Sequence, residues 1–333
     1  MTGELANDSD GAIENHDPDA LLSESARARL ARALPPNTKR AYERQGRAFT
    51  EWCAQNGRTA LPATQQTLAD YVSHLADLDK SPATIEQAIS AIRMAHRVAG
   101  HKGLPHTDAA LFILRVHRRD RAASGRRPRK APPITLGPLR AMVEATDPST
   151  PRGLRDRLIL VLGFAIMARR SELSALHTDD ISFTEDGLVI RIRMSKADQD
   201  ATGAEVHVPP GVHPDTDPVR LTRAWLDLLD DQGIPAGPLL RRIDRQGRIG
   251  DGLKAASIND IVRALAVKAG LPNAENYTAH GLRAGGPTEA AKAGQPVAFI
   301  AEHGRWSKTS PQIMEYIRPV DKWQDNPMRG IGL

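Results

Sequence analysis

The sequence contains, at residues 158–173, the stretch LILVLGFAIMARRSEL, in which an apolar run leads directly into a charged segment. The apolar part, 158–168, has 11 residues, about half of the roughly 20 that a membrane-spanning helix needs. It therefore predicts a buried core helix, and the helical pattern extends over Leu154–Leu176. Arg169 and Glu172 stand three residues apart at its charged end, a spacing that places two side chains on one helical face.

The composition around this stretch is that of a folded, basic protein. The chain has 333 residues, 45 Lys and Arg, 40 Asp and Glu, one cysteine and 40% hydrophobic residues. This length suggests about two domains, and a single cysteine excludes a disulfide framework or a cysteine-based zinc site. Without a signal peptide or an apolar run of membrane length, we expect a soluble cytoplasmic protein with no membrane partner.

The charges are distributed unevenly along the chain. Residues 1–24 carry seven acidic side chains and no Lys or Arg, which leaves 45 basic and 33 acidic side chains in the remainder. The excess of basic residues after residue 24, and their richness in arginine, favour a polyanionic partner such as DNA, because guanidinium groups bind phosphate bidentately. A GC-rich genome would by itself raise the arginine content, so charge suggests this partner without deciding it.

The patterns divide the chain into four parts. These are an acidic disordered tail (1–25), an N-terminal helical domain (26–122), a basic linker (123–133) and a C-terminal domain (134–333). The N-terminal domain is predicted to contain four helices, the first capped by Asn37 or Thr38 and the third opened by Ser81 and Pro82.

The C-terminal domain is predicted to combine helices with a β-hairpin. Apolar and other residues alternate over 188–194, and a partner strand is expected at 206–208 after a polar turn. Further helices are predicted at about 217–231, 257–269, 280–292, 295–303 and 309–317.

The predicted linker region is a candidate DNA contact. Residues 115–130 hold eight basic side chains against Asp120 alone, and such a segment can lie along the backbone of a duplex. A solvated hinge explains the same composition equally well. The candidate DNA-binding residues are Arg118, Arg119, Arg126, Arg127, Arg129 and Lys130.

Five short motifs follow one another in the second half of the chain. They are Arg169-x-x-Glu172, Lys196 after the predicted strand, His280-x-x-Arg283, Trp306, and Tyr316 near the C-terminus. In this order and at this spacing, with a helical bundle before them, they resemble the tyrosine recombinase (phage integrase) family from about Asn37 onwards.

This resemblance implies both a fold and an activity. The fold is mainly α with a small β-hairpin or sheet, comprising an N-terminal SAM-like core-binding bundle and a mixed α+β catalytic domain. The activity is site-specific DNA recombination through a 3′-phosphotyrosyl intermediate and a Holliday junction, without metal, ATP or another cofactor. The expected assembly is a homotetramer on two double-stranded DNA sites, at the nucleoid. Neither the target sequence, nor accessory proteins, nor the biological role can be read from the residues.

The resemblance also assigns roles to the charged residues. Arg169 and Arg283 match the two arginines that neutralise the non-bridging phosphate oxygens, as two guanidiniums can do without a metal. Glu172 would orient a guanidinium, and the Arg-x-x-Glu pattern selects Arg169 over its neighbour Arg170.

The remaining roles concern proton transfer and the nucleophile. His280 would assist proton transfer, Lys196 would protonate the leaving 5′-oxygen, and Tyr316 would attack the phosphate. Tyr277, which precedes the His280 helix, is the alternative nucleophile. Two other tyrosines, Tyr42 and Tyr71, lie on apolar faces of the N-terminal helices and are expected in the core.

Three alternatives remain open. Trp306 lies ten residues before Tyr316, one more than the family pattern, so either Trp306 or His303 could complete the site. A type IB topoisomerase would share this chemistry and relax DNA without exchanging strands between two sites. A catalytically silent DNA-binding regulator could also use the same scaffold.

Overall fold

The computed structural model describes residues 25, 35–126, 131–193, 203–307, 312–317, 328, 329 and 331. The predicted site residues outside this part are Lys196, Arg127, Arg129 and Lys130. The chain divides into two compact units, Met1–Pro128 and Arg129–Leu333, and each is described separately below.

The N-terminal unit contains the four predicted helices. They are α1 (Pro36–Gln55), α2 (Gln65–Asp77), α3 (Pro82–Val98) and α4 (Asp108–Ala123). The Ser81 hydroxyl accepts a hydrogen bond from the Thr84 N–H at the start of α3, as the sequence predicts. The predicted cap of α1 is wrong, because the helix begins at Pro36 and its preceding residue, Pro35, makes no side-chain cap; a proline suits the first turn because that turn leaves N–H groups unused.

The core of this unit lies between the helices. Phe49 and Tyr71 are buried and their rings pack edge to face at 5.0 Å, so Tyr71 is a core residue as expected. Burial raises the pKa of Tyr71 to about 12. Tyr42 is only half-buried and borders a groove between α1 and α3.

The C-terminal unit is mainly helical with two small antiparallel sheets, which confirms the predicted fold class. Its helices are α5 (Leu136–Glu144), α6 (Pro151–Ala165), α7 (Arg170–Ser174), α8 (Pro218–Asp231), α9 (Ala255–Lys268), α10 (Ala279–Lys292), α11 (Val297–His303) and α12 (Gln312–Tyr316). Its strands are β1 (Ile181–Thr184), β2 (Gly187–Ile192), β3 (Ala204–Val208), β4 (Arg241–Ile243) and β5 (Ile249–Gly252). None of the helices that the structure describes is long and apolar enough to cross a membrane.

The sheets extend the predicted hairpin. Strand β2 pairs with β3, where Ile190 faces Val206, and it also pairs with β1, where the same Ile190 faces Ile181. Strand β1 and the β4–β5 pair are absent from the prediction. They have three or four residues each, too few for an alternating pattern to be recognised.

The prediction of one continuous helix over Leu154–Leu176 is wrong, because the helix is interrupted in the middle of this range. Helix α6 ends at Ala165, Met167 adopts a left-handed conformation (φ 49°), and α7 begins after Arg169. The Met167 and Ala168 N–H groups bond back to the carbonyls of Phe164 and Gly163, as in the common left-handed helix ending. This break keeps the apolar residues buried while Arg169 leaves the helix and becomes half-buried.

Helix α10 packs closely against the start of the C-terminal unit. The Ile134 N–H donates to the Gly281 carbonyl at 2.9 Å. A Cβ added to Gly285 would lie 1.8 Å from the Ile134 oxygen, so only glycine permits this approach. The contact sets the depth of the helix that carries His280 and Arg283.

We therefore predict that Gly285→Ala destabilises the protein by about 1–3 kcal/mol, because either the backbone of α10 or that of residue 134 must move. The control is Gly137→Ala, whose added Cβ meets nothing within 4 Å and should leave stability unchanged or raise it slightly. Calorimetric unfolding of the full chain measures both. Equal unfolding temperatures for the two variants would contradict the packing described here.

Candidate active site

Arg283 is the most deeply buried charged side chain of the candidate site, with 1% of its surface exposed. Its Nη1 donates to the carbonyl of Met167, and its Nη2 donates to that of Gly304 at 2.9 Å. The Trp306 ring covers the guanidinium, with 4.0 Å between the guanidinium carbon and the ring centre. The guanidinium is therefore held in one orientation by two backbone oxygens and an aromatic face.

These two carbonyls belong to the C-terminal ends of α6 and α11. Helix ends leave carbonyl groups without partners inside the helix, and both helices close with a left-handed residue, Met167 at φ 49° and Arg305 at φ 58°. Arg283 thus joins two helix ends that are 137 residues apart in the chain, since it bonds to residues 167 and 304.

Glu172 is the carboxylate around which the arginines assemble. Its Oε1 accepts from Arg169 Nη1 at 2.5 Å, and its Oε2 accepts from the Arg169 N–H and from Arg305 Nη2, both at 2.9 Å. Arg283 Nη1 lies 4.0 Å from the same Oε2. We call these four residues the arginine cluster; it holds three guanidiniums around one buried carboxylate.

The charges of the cluster act on one another. Burial alone would raise the pKa of Glu172, but Arg305 and Arg169 outweigh it, and the pKa is lowered below its ordinary value. For Arg283, burial and then the Arg169 charge lower the pKa to about 10. Both groups are therefore ionised at neutral pH, and the cluster carries a net positive charge suited to a phosphate.

Tyr316 closes α12 beside this cluster. Its ring centre lies 5.5 Å from that of His280 and 4.9 Å from that of Trp306, and the Arg283 guanidinium carbon is 5.8 Å away. The Thr288 hydroxyl on α10 lies 2.8 Å from the Tyr316 carbonyl and 2.7 Å from that of Ala284, so its single proton is shared between the two oxygens. The helix that carries His280 and Arg283 therefore also anchors the tyrosine.

The residues that the sequence leaves as alternatives, His303 to Trp306 and Tyr277 to Tyr316, have different surroundings in the structure. Trp306 contacts both Arg283 and Tyr316, whereas His303 donates from Nε2 to the Ala165 carbonyl at 2.7 Å. Burial lowers the pKa of His303, so its ring is neutral at physiological pH. Tyr277 is buried in the hydrophobic core of the unit, and burial raises its pKa.

Six of the predicted site residues are thus brought together in the C-terminal unit: Arg169, Glu172, His280, Arg283, Trp306 and Tyr316. Two further participants were missed by sequence reasoning, Arg305 and Thr288. Neither has a recognisable signal in the sequence, because an arginine after a glycine and a threonine inside a helix are common.

The predicted DNA-binding arginines of the N-terminal unit have mixed surroundings. Arg118 is paired with Glu86, and Arg126 is paired with Asp79. Arg119 is exposed at the end of α4. In the described part of the chain, no group of three or more His, Cys, Asp or Glu side chains is placed to hold a metal ion.

Comparisons with known proteins give a family model and several relatives that match this chain. The family model for the phage integrase N-terminal SAM-like domain matches residues 28–103. A protein of Selenomonas ruminantium named as an integrase/recombinase xerD homologue is 31% identical over 320 residues, covering 95% of this chain and 90% of the relative. The recombinase Cre of Escherichia phage P1 is 24% identical over 289 residues, covering 83% and 82%.

The fold is also shared with a solved structure. A lambda integrase tetramer bound to a Holliday junction matches with a TM-score of 0.57 at 15% identity, over 88% of this chain and 74% of that one. At this identity the likeness concerns the fold.

The lowered pKa of Glu172 predicts a pH-dependent loss of stability. Because the folded pKa lies below the unfolded one, the stabilisation by the carboxylate is complete at neutral pH and is lost as the pH falls from about 4.5 through the folded value. Glu172→Gln should therefore destabilise the protein by about 3–5 kcal/mol near pH 7, because it leaves buried guanidiniums uncompensated, and by less at acidic pH.

Thermal unfolding of wild type and Glu172→Gln between about pH 3 and 8 measures this difference. The control is Glu289→Gln, whose partner Lys292 is 3.8 Å away near the surface and whose loss should change little at any pH. A difference between wild type and Glu172→Gln that stays constant over the whole range would contradict the charge network.

Proposed function

Because this chain belongs to the tyrosine recombinase family and is therefore a site-specific DNA recombinase, we propose that Tyr316 is its nucleophile and that the arginine cluster binds the scissile phosphate. The observation that carries the proposal is the position of Tyr316, whose ring lies beside those of His280 and Trp306 and beside the guanidinium of Arg283. The other tyrosine of the C-terminal unit, Tyr277, lies in the hydrophobic core.

The first step is attack of the Tyr316 phenolic oxygen on phosphorus, which forms a P–O bond to tyrosine and breaks the P–O5′ bond. His280 accepts the phenolic proton, and Lys196 donates a proton to the leaving 5′-oxygen. Arg169 and Arg283 neutralise the charge that builds up on the non-bridging oxygens, which is the largest electrostatic demand of the transition state.

The second step reverses the first on another strand. The 5′-hydroxyl of the partner duplex attacks the 3′-phosphotyrosyl bond, tyrosine leaves and recovers its proton, and the DNA backbone is rejoined. The bond energy is conserved in the phosphotyrosyl link, so the exchange needs no ATP. Two such exchanges pass through a Holliday junction.

Access to Arg283 is part of this mechanism. With 1% of its surface exposed, the side chain lies beneath the rings of Trp306 and Tyr316. A phosphate can reach its guanidinium only if these rings shift, and the indole N–H of Trp306 then becomes a donor for the phosphate. Half-buried Arg169 is accessible without such a change.

The partners follow from the same chemistry. We propose that the protein acts as a homotetramer on two specific double-stranded DNA sites, in the cytoplasm and on the nucleoid. The basic residues at the end of α4 and in the linker, including Arg119, would contact the phosphate backbone, which positions a protein without reading the bases. The lambda integrase tetramer on a Holliday junction, which shares the fold, supports this assembly.

We predict that the wild-type protein forms a covalent DNA adduct in EDTA and that Tyr316→Phe forms none. The substitution removes the phenolic hydroxyl and keeps the ring that packs on Trp306, so DNA binding should be unchanged. The measurement uses a pool of random duplexes together with fragments flanking the gene, resolved on a denaturing gel with and without protease. The control is Tyr277→Phe, which should retain the adduct.

Other outcomes favour the alternatives. Binding without an adduct from the wild-type protein would indicate a silent regulator. An adduct that persists in Tyr316→Phe would move the nucleophile to another residue. Relaxation of plasmids irrespective of sequence, without exchange between two sites, would indicate a topoisomerase.

A further inference from the structure

Arg305 stands at a position where the backbone favours glycine. The Trp306 N–H donates to the Ala301 carbonyl at 2.9 Å and the Arg305 N–H to that of Glu302 at 3.0 Å. These paired bonds form the Schellman ending of a helix, whose left-handed residue is most often glycine. Here Arg305 has the positive φ of 58°, while Gly304 before it has a φ of −84°.

The glycine is required one residue earlier for a different reason. A Cβ on Gly304 would lie 1.7 Å from Cζ3 of the Trp306 ring, so the indole can fold back over the backbone only if residue 304 has no side chain. The left-handed conformation is therefore adopted by the next residue, Arg305. A helix ending alone would be served better by a second glycine, because arginine is strained in this conformation.

The contacts of the guanidinium explain why an arginine occupies this position. Arg305 Nη2 donates to Glu172 Oε2 at 2.9 Å, and Nη1 donates to the carbonyls of Ile166 and His303 at 3.0 and 3.1 Å. The other oxygen of Glu172 holds Arg169 at 2.5 Å. Two arginines from distant parts of the chain therefore share one carboxylate.

The two arginines differ in what they can reach. The Arg305 side chain is 6% exposed and both of its Nη atoms donate to protein oxygens, whereas the Arg169 side chain is 22% exposed. The buried Nε of Arg305 has no hydrogen-bond partner among the described residues, which is unfavourable for stability alone. Arg305 is thus placed to act on its neighbours and not on DNA.

We propose that Arg305 is a positioning residue for strand cleavage: by holding Glu172 it fixes the guanidinium of Arg169. This inference rests on the proposed function. It adds a third arginine to the site, one that acts through Glu172 and Arg169 without touching the phosphate.

The test measures the single-turnover rate of adduct formation at saturating DNA. The substrate is a nicked duplex whose sequence is that of the DNA recovered in wild-type adducts. Arg305→Met removes the charge and should slow cleavage about a hundredfold, because a small displacement of a catalytic group has an effect of this size. The dissociation constant for DNA should stay within about twofold of the wild-type value.

The matched control is Arg157→Met in the same unit. Arg157 is also buried, and it donates to the Thr146 hydroxyl at 2.6 Å and to Asp215 at 3.0 Å; neither partner belongs to the arginine cluster. Its substitution should lower the unfolding temperature and leave the cleavage rate within about twofold of wild type.

A methylphosphonate at the scissile position separates positioning from general loss of structure. This group lacks the charge of one non-bridging oxygen, so the placement of Arg169 matters less. The gap between wild type and Arg305→Met should shrink from about a hundredfold to less than about tenfold. Equal slowing on both substrates, or a wild-type rate for Arg305→Met on ordinary DNA, would overturn the proposal.

A second variant serves if Arg305→Met does not fold. Arg305→Lys keeps the charge but replaces the two Nη atoms, which bond Glu172 on one side and two carbonyls on the other, by a single nitrogen. It should slow cleavage about tenfold, again with a smaller gap on methylphosphonate, and equal slowing on both substrates would again overturn the proposal. Absence of an adduct with the wild-type protein would overturn the proposed function itself, and this inference with it.

Discussion

The arrangement of the candidate active site depends on one buried guanidinium. A charge taken out of water must be compensated, and Arg283 finds its compensation in the carbonyls of Met167 and Gly304, the ring of Trp306 and the nearby carboxylate of Glu172. These partners come from two segments of the C-terminal unit, 167–172 and 304–306. Burying Arg283 therefore brings these segments together and places every other member of the site around it.

The same constraint explains the strained backbone. Both carbonyls that accept from Arg283 are exposed where a helix ends in a left-handed residue other than glycine, Met167 or Arg305. Such residues are strained, and strain of this kind is typically retained at functional sites. Both residues make contacts within the site: the Met167 carbonyl binds Arg283, and the Arg305 side chain binds the carboxylate that also holds Arg169.

The sequence predicts the helices of both units, the β2–β3 hairpin and six residues of the site, because these depend on local periodicity and on recognisable spacings. It does not predict the break after Ala165, since the apolar run continues through it and only the tertiary contacts of Met167 and Arg169 interrupt the helix. Arg305 is missed for the same reason. Glycine is the expected left-handed residue, and the packing of Trp306 over Gly304, which moves that conformation to Arg305, is visible only in three dimensions.

The most direct test is a crystal structure of the protein with nicked DNA and orthovanadate, which forms a five-coordinate mimic of the transition state. The proposed mechanism predicts that Tyr316 Oη is an apical ligand of vanadium. It also predicts that nitrogens of Arg169 and Arg283 lie within about 3 Å of the equatorial oxygens, with Trp306 shifted from the Arg283 guanidinium. Another side chain at the apical position, or an Arg283 still covered and out of reach of vanadate, would contradict it.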